Sequence, residues 1–157
     1  MSSTPSVTVA RNPGIVRLIQ WIIGWMECVP YWLVALVARL GPAGVFWRSG
    51  QTKMDGLQVK DSAVALFENI YQVPLLDPWL AAHIAAYAEH LFPVMLVLGL
   101  GTRFAALGML IMTAVIEIFV FPDAWPVHGT WAACFLVLIW RGPGVVSLDY
   151  LIARRYR

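Results

Sequence analysis

Among the ionisable side chains that lie inside or at the ends of long apolar stretches of this 157-residue chain, seven are candidates for a buried polar cluster or pocket. Such groups are costly at membrane depth, so they pair with one another, bind a ligand or pass a proton. The sequence therefore predicts either structural ion pairs or a polar pocket, and both interpretations stay open. The seven residues are Arg48, Lys53, Glu89, Glu117, His83, His90 and His128.

Helical spacing predicts that the two glutamates face other helices. Glu89 shares a helix face with Ala82 and Ala86, and Glu117 shares one with Thr113. Small residues let membrane helices approach closely, so these faces are the packed ones.

The predicted depth of each residue suggests partners. Arg48 and Glu117 fall at similar depth and are predicted to form a salt bridge, while Glu89 is expected to meet Arg39 or Arg48. Lys53 is expected to extend to the membrane interface. In the pocket interpretation the cations attract a ligand head group, and the glutamates compensate charge or relay protons.

The histidines raise the question of a metal. His83, Tyr87 and His90 recur at i, i+4 and i+7, but no cysteine or second acid completes a ligand set, so no metal site is predicted. Cys28 and Cys134 have no CxxC spacing and are interpreted as small buried hydrophobes.

The composition indicates a membrane protein. Sixty per cent of the residues are hydrophobic and 13% are charged, with a mean hydropathy of +0.71. Soluble domains carry about 25% charged residues. The net charge of +2 is too small to suggest a nucleic-acid partner.

Four apolar segments, each close to the ~20 residues that cross a bilayer, predict an all-α integral membrane four-helix bundle with an N-terminal interfacial amphipathic helix. The predicted spans are 30–54, with a bend at 41–44, then 78–100, 103–121 and 124–141. A short surface helix is predicted at 62–71. The predicted organisation is a disordered tail at 1–12, the interfacial helix at 13–29, the membrane domain at 30–149 and a basic tail at 150–157.

The distribution of arginines predicts the orientation. One side of the membrane receives both termini and most of the arginines, whereas the loops at 55–77 and 121–126 are mainly acidic. By the positive-inside rule both termini are cytoplasmic. The predicted location is the bacterial inner membrane.

Five motifs make the chain similar to the DoxX family of small four-span bacterial membrane proteins. They are "ARLGPAGVFWRSGQTKMDG" (38–56), "LFENIYQVPLLDP" (66–78), "AAYAEHLFPVMLVLGLGTRFAALGMLIM" (85–112), "FPDAWPVH" (121–128) and "RGPGVVSLD" (141–149). Gly50 and Lys53 match the family's small-residue motif that ends in lysine, and Glu89 matches its glutamate in the second span. Thr102 and Arg103 match its threonine–arginine pair.

The resemblance implies an accessory subunit of a redox system, since some relatives belong to a thiosulfate:quinone oxidoreductase. The expected pocket opens to the periplasm and takes a quinone head group, with Trp47, Phe46 and Tyr87 beside its ring. No haem, dinucleotide or iron–sulfur motif is present in the sequence, and whether the chain turns over a substrate stays open.

Two other functions remain in view. One is a non-catalytic membrane scaffold or maturation partner. The other is a small metal-handling or transport protein that uses His83, His90 and His128. The expected partners are membrane lipids and another membrane or periplasmic protein.

Overall fold

The computed structural model describes residues 13–156, so the tail predicted at 1–12 lies outside the described residues. Within that range the chain forms seven α-helices, two π-helical turns and one β-hairpin. The α-helices are α1 (Pro13–Glu27), α2 (Tyr31–Lys53), α3 (Asp61–Leu66), α4 (Pro78–Leu98), α5 (Thr102–Val115), α6 (Trp125–Arg141) and α7 (Leu148–Arg155). The first π turn is Phe67–Tyr71 and the second is Ile116–Val120, while the hairpin pairs β1 (Met54–Asp55) with β2 (Gln58–Val59).

Helix α1 belongs to a different unit of the chain from the one that begins at Tyr31. Its large apolar side chains are exposed, including Trp21 and Trp25, whose ring centroids are 5.7 Å apart. Arg17, Gln20, Gly24 and Glu27 recur at helical spacing and form one polar stripe along it. These features are expected of an amphipathic helix at a membrane surface.

Helices α2, α4, α5 and α6 pack together as the predicted four-helix bundle, and the all-α membrane fold is confirmed. Their ends lie within two residues of the predicted boundaries when the second π turn is counted with α5. Helix α2 is unbroken from Tyr31 to Lys53 and contains Pro42, which lies in the segment 41–44 where a bend is predicted. Helix α4 begins where Asp77 accepts a hydrogen bond from the Leu80 amide, and it ends at Gly99 with φ +67°.

By length and composition, two helices of the described chain can cross a membrane, Pro78–Leu98 and Thr102–Val120. The segments Gly14–Glu27 and Tyr31–Lys53 count as a third only when they are taken together as one broken span. Helix α2 is less apolar because it carries three cations, and α6 has 17 residues, at the lower limit for a span. Large apolar side chains are exposed all around the bundle, as lipid contact requires.

The centre of the bundle is built from small residues with a few large ones between them. Ala35 and Ala105 are fully buried and let the helices approach closely, while Phe135, Leu138 and Met109 fill the remaining space. Both kinds of residue are needed, because helix packing in lipid depends on close contact rather than on exclusion of water.

One end of the bundle, which we call the Arg39 end, is held together by the C-terminal motif at 141–149. The Asp149 carboxylate accepts hydrogen bonds from the Gly101 and Thr102 amides at 2.7 and 2.9 Å, which caps the start of α5. Buried Arg39 donates to the carbonyls of Leu96 and Val146 at 3.4 and 2.5 Å. The predicted pairing of Arg39 with Glu89 is therefore wrong, because Arg39 is used to close this end.

At the opposite end, the Lys53 end, α2 stops and α4 begins. The predicted surface helix at 62–71 forms as α3 followed by the first π turn. The hairpin before it was not predicted. Gly56 supplies φ +59° at its turn, and Tyr87 donates to the Leu57 carbonyl at 3.0 Å, which fastens the hairpin to α4. Residues 148–155, mostly predicted as a basic tail, form α7.

Candidate functional site

A buried ion pair joins α2 to α4 at the Lys53 end. Lys53 Nζ lies 2.8 Å from Glu89 Oε2 and 3.1 Å from Oε1, and the two side chains are 8% and 4% exposed. Lys53 Nζ also donates to the Ser49 hydroxyl at 2.8 Å. Glu89 faces the bundle as predicted, but its partner is Lys53 and not Arg39 or Arg48. Lys53 does not extend to the interface because this contact holds it inside.

The spacing of buried residues along α2 explains why Lys53 is the partner. Ala35, Pro42, Phe46, Gly50 and Lys53 are all buried and recur every three to four residues or at their multiples, so they share one helix face. Arg48 is two positions from Phe46 and points away from that face. Within residues 13–156 the exposed Arg48 side chain makes no hydrogen bond or ion pair.

Glu117 has a different partner from the predicted one. Its Oε2 lies 2.6 Å from His128 Nδ1, which joins the second π turn to the first turns of α6. His128 is buried and Glu117 is half-buried. The predicted Arg48–Glu117 salt bridge is therefore wrong. Depth matched the two residues, but the direction of the Arg48 side chain separates them.

Lys53, Glu89 and His128 line a cavity of about 460 Å³ at the Lys53 end. Its polar lining residues are Ser49, Lys53, Tyr71, Glu89 and His128, and the rest of the wall is apolar, aromatic or glycine. A large apolar pocket with a few convergent polar groups is the usual form of a small-molecule site, and the volume lies within the roughly 300–1,000 Å³ of such sites.

Both π turns border this cavity. The first carries Phe67 and Tyr71, and the Tyr71 ring packs edge-on against Phe121, with centroids 5.9 Å apart. Burial, together with the nearby negative charge of Glu89, raises the pKa of the Tyr71 phenol above its usual value. Tyr71 is therefore a neutral phenol at physiological pH. Since π turns are frequent at functional sites, their position here supports a binding role.

The rim of the cavity is apolar where it meets the bundle surface. Ile84 of α4 and Ile111 of α5 line the cavity and are also 51% and 58% exposed. The Phe92 ring, which also lines the cavity, fills the space beside Gly108, where an added Cβ would lie 2.6 Å from the ring. The part of the cavity wall that is also exposed at the bundle surface is therefore apolar at Ile84 and Ile111.

Two of the predicted histidines lie away from this cavity. His83 stacks on Trp79 with centroids 3.8 Å apart, and His90 packs edge-on against Trp47. Each ring Nδ1 contacts a backbone carbonyl of its own helix, at 2.7 and 2.8 Å. In residues 13–156, no three His, Cys, Asp or Glu side chains are grouped so that they could hold a metal ion.

Of the aromatic residues that were expected beside a ligand ring, only Phe46 lines the cavity. Trp47 and Tyr87 are exposed, and Tyr87 binds the hairpin instead. The structure thus brings together Lys53, Glu89 and His128, with Glu117 behind His128. Tyr71 and Ser49 also line the cavity, but they were not among the seven residues predicted from the sequence.

A family model described as DoxX matches residues 34–122, more than half of the chain. The matched range contains both the Lys53–Glu89 pair and Glu117. An uncharacterized protein of Haemophilus influenzae is 28% identical over 131 residues, covering 77% of this chain and 84% of that protein. No solved structure matches the chain.

Proposed function

The chain belongs to the DoxX family, and from this premise we propose that it is an accessory subunit of a bacterial inner-membrane redox system whose cavity binds a quinone head group. The observation that carries the proposal is the apolar cavity with the buried Lys53–Glu89 pair in its wall. A quinone is a neutral ring with two carbonyl acceptors and an apolar tail, so it needs apolar walls and a hydrogen-bond donor.

The residues present meet both needs. The Lys53 ammonium donates to Glu89 and to the Ser49 hydroxyl, and one of its three N–H groups can turn to a ligand carbonyl. Glu89 balances its charge, so the site requires no charge from the ligand. Phe46 and Phe92 provide aromatic walls. Ile84 and Ile111, which line the cavity and are also exposed, provide apolar surface for a tail that extends toward lipid.

The test measures binding of a short-chain quinone to purified protein in mild detergent, with quenching of tryptophan fluorescence as the readout. Trp131 lines the cavity, so Trp131→Phe should remove the saturable part of the quenching. The double variant Lys53→Gln with Glu89→Gln removes both charges at nearly constant size. It should bind about tenfold more weakly, because a charge-assisted hydrogen bond becomes a neutral one.

Arg48→Gln is the matched control, since Arg48 lies on the same helix but outside the cavity and should leave the affinity unchanged. Wild-type protein that shows no saturable quenching would contradict the proposal.

One observation favours the second candidate, a non-catalytic scaffold that holds a partner protein. Arg48 is exposed on the surface of the bundle. A cation in a membrane is costly unless an acidic group pairs with it, and a partner protein could supply that group. In this case Arg48→Gln would abolish co-purification of a partner and leave the fold intact.

A further inference from the structure

The Glu117–His128 pair has the geometry of a carboxylate that positions an imidazole. The 2.6 Å contact uses Nδ1 of the ring, and His128 as a whole is only 5% exposed. When Nδ1–H donates to the carboxylate, the neutral ring carries its lone pair on Nε2. Glu117 therefore favours the tautomer in which Nε2 is a hydrogen-bond acceptor.

The other ring nitrogen is available to the cavity. Among the described residues, Nε2 of His128 makes no hydrogen bond, while the side chain lines the cavity. In the described chain, two side-chain atoms are fully buried and have no hydrogen-bond partner, Arg39 Nε and Thr102 Oγ1. His128 Nε2 also has no partner but is not one of these fully buried atoms, so it is open to a ligand.

The cavity thus offers two complementary polar groups from different helices. Lys53 of α2 is a donor and His128 of α6 is an acceptor, and both side chains line the cavity. A ligand with only carbonyl oxygens can use the first group but not the second. A ligand with a ring hydroxyl can donate to Nε2.

We propose that the Glu117–His128 pair makes the cavity selective for a head group that carries a phenolic hydroxyl, so that the hydroquinone form binds in preference to the quinone. This rests on the proposed function and specifies the form of its ligand. His128 contacts the ligand, and Glu117 is a positioning residue that acts through His128.

The experiment compares a 4-alkylphenol with the corresponding 4-alkylanisole, which has the same ring and chain but no hydroxyl hydrogen. Neither compound undergoes the redox chemistry that would complicate work with a hydroquinone. Competition against bound short-chain quinone, or direct calorimetric titration, gives the affinity ratio in the same micelles. The wild-type protein should prefer the phenol by about tenfold, the worth of one neutral hydrogen bond.

Two variants assign the preference to the pair. His128→Leu removes the acceptor and should bring the ratio close to one. Glu117→Gln keeps size and hydrogen bonding, so it preserves the fold if the leucine variant does not. Its amide can pair with either tautomer of His128, so the phenol preference should fall. His83→Gln is the matched control outside the cavity and should keep the wild-type ratio.

The outcomes separate this inference from the proposed function. If quinone binds but the wild-type ratio is near one, selection by the pair is overturned and the quinone site stands. If the ratio is high but unchanged in both Glu117→Gln and His128→Leu, another group selects the hydroxyl and the assignment is overturned. If the phenol preference depends on the pair while quinone does not bind, the inference holds and the quinone proposal fails. If neither ligand binds, both are overturned.

Discussion

Lys53 Nζ lies 2.8 Å from Glu89 Oε2, and this contact joins the last turn of α2 to the middle of α4 inside an apolar bundle. Each charge is buried only because the other compensates it. The pair is therefore a structural support and part of the cavity wall at the same time, and the experiments must separate the two roles.

Removing one member of the pair should destabilise the protein strongly. Glu89→Leu leaves the Lys53 charge buried without a partner, at a cost of ~3–5 kcal/mol in the free energy of unfolding. The double variant Lys53→Leu with Glu89→Leu should lose much less, because no buried charge remains. Denaturant titrations of helical circular dichroism in mixed micelles measure both. Equal losses in the single and double variants would show that the two charges are not coupled.

Gly50 should be intolerant of a side chain, and Gly44 on the same helix should not be. A Cβ at Gly50 would lie 2.7 Å from His90 Cε1 and 3.1 Å from the Glu89 Cβ, so Gly50→Ala pushes α2 and α4 apart. We expect a loss of about 1–3 kcal/mol from this overpacking. Nothing lies within 4 Å of a Cβ at Gly44, and Gly44→Ala should be neutral or stabilise the helix slightly. The same unfolding measurement compares them, and equal effects would contradict close packing at Gly50.

Asp149 should protect the first amides of α5. Asp149→Ala removes the acceptor of two backbone N–H groups, at a cost of about 1–3 kcal/mol, and amide exchange at Gly101 and Thr102 should become faster. Asp149→Asn keeps one side-chain acceptor and should lose less. Asp123→Ala, at an exposed acid in another loop, is the control. Unchanged exchange at residues 101 and 102 in the alanine variant would contradict the capping role.

The orientation inferred from the arginines can be tested with reporter fusions. A reporter after residue 157 should be active on the cytoplasmic side, and one inserted within 60–70 should be active on the periplasmic side. The opposite pattern would invert the topology and place the cavity near the cytoplasm.

The helices of the bundle could be predicted because apolar length and stop signals are local properties of the sequence. The charge pairs could not be predicted from depth alone, since depth does not give the direction of a side chain around a helix. The spacing from Ala35 through Phe46 and Gly50 to Lys53 contained that information. Applied to α2, it would have placed Lys53 inside and Arg48 outside.

The π turns are a different case. No periodicity in "FENIY" or "IEIFV" distinguishes a π turn from the α-helix before it, because the change depends on packing against the neighbouring helices. Tyr71 lies on the first of these turns, so its position beside the cavity was beyond a local prediction. The hairpin was less hidden, since Gly56 lies between two short segments and is suited to a tight turn.

The mutual neutralisation of Lys53 and Glu89 has a consequence for how the cavity responds to an energised membrane. The net charge of the pair is zero, so no ion has to enter the cavity together with the ligand. The transmembrane potential acts on moved charge, at about 2.3 kcal/mol per elementary charge per 100 mV. An uncharged ligand that enters from lipid moves none, so occupancy of the cavity should be the same in energised and de-energised vesicles.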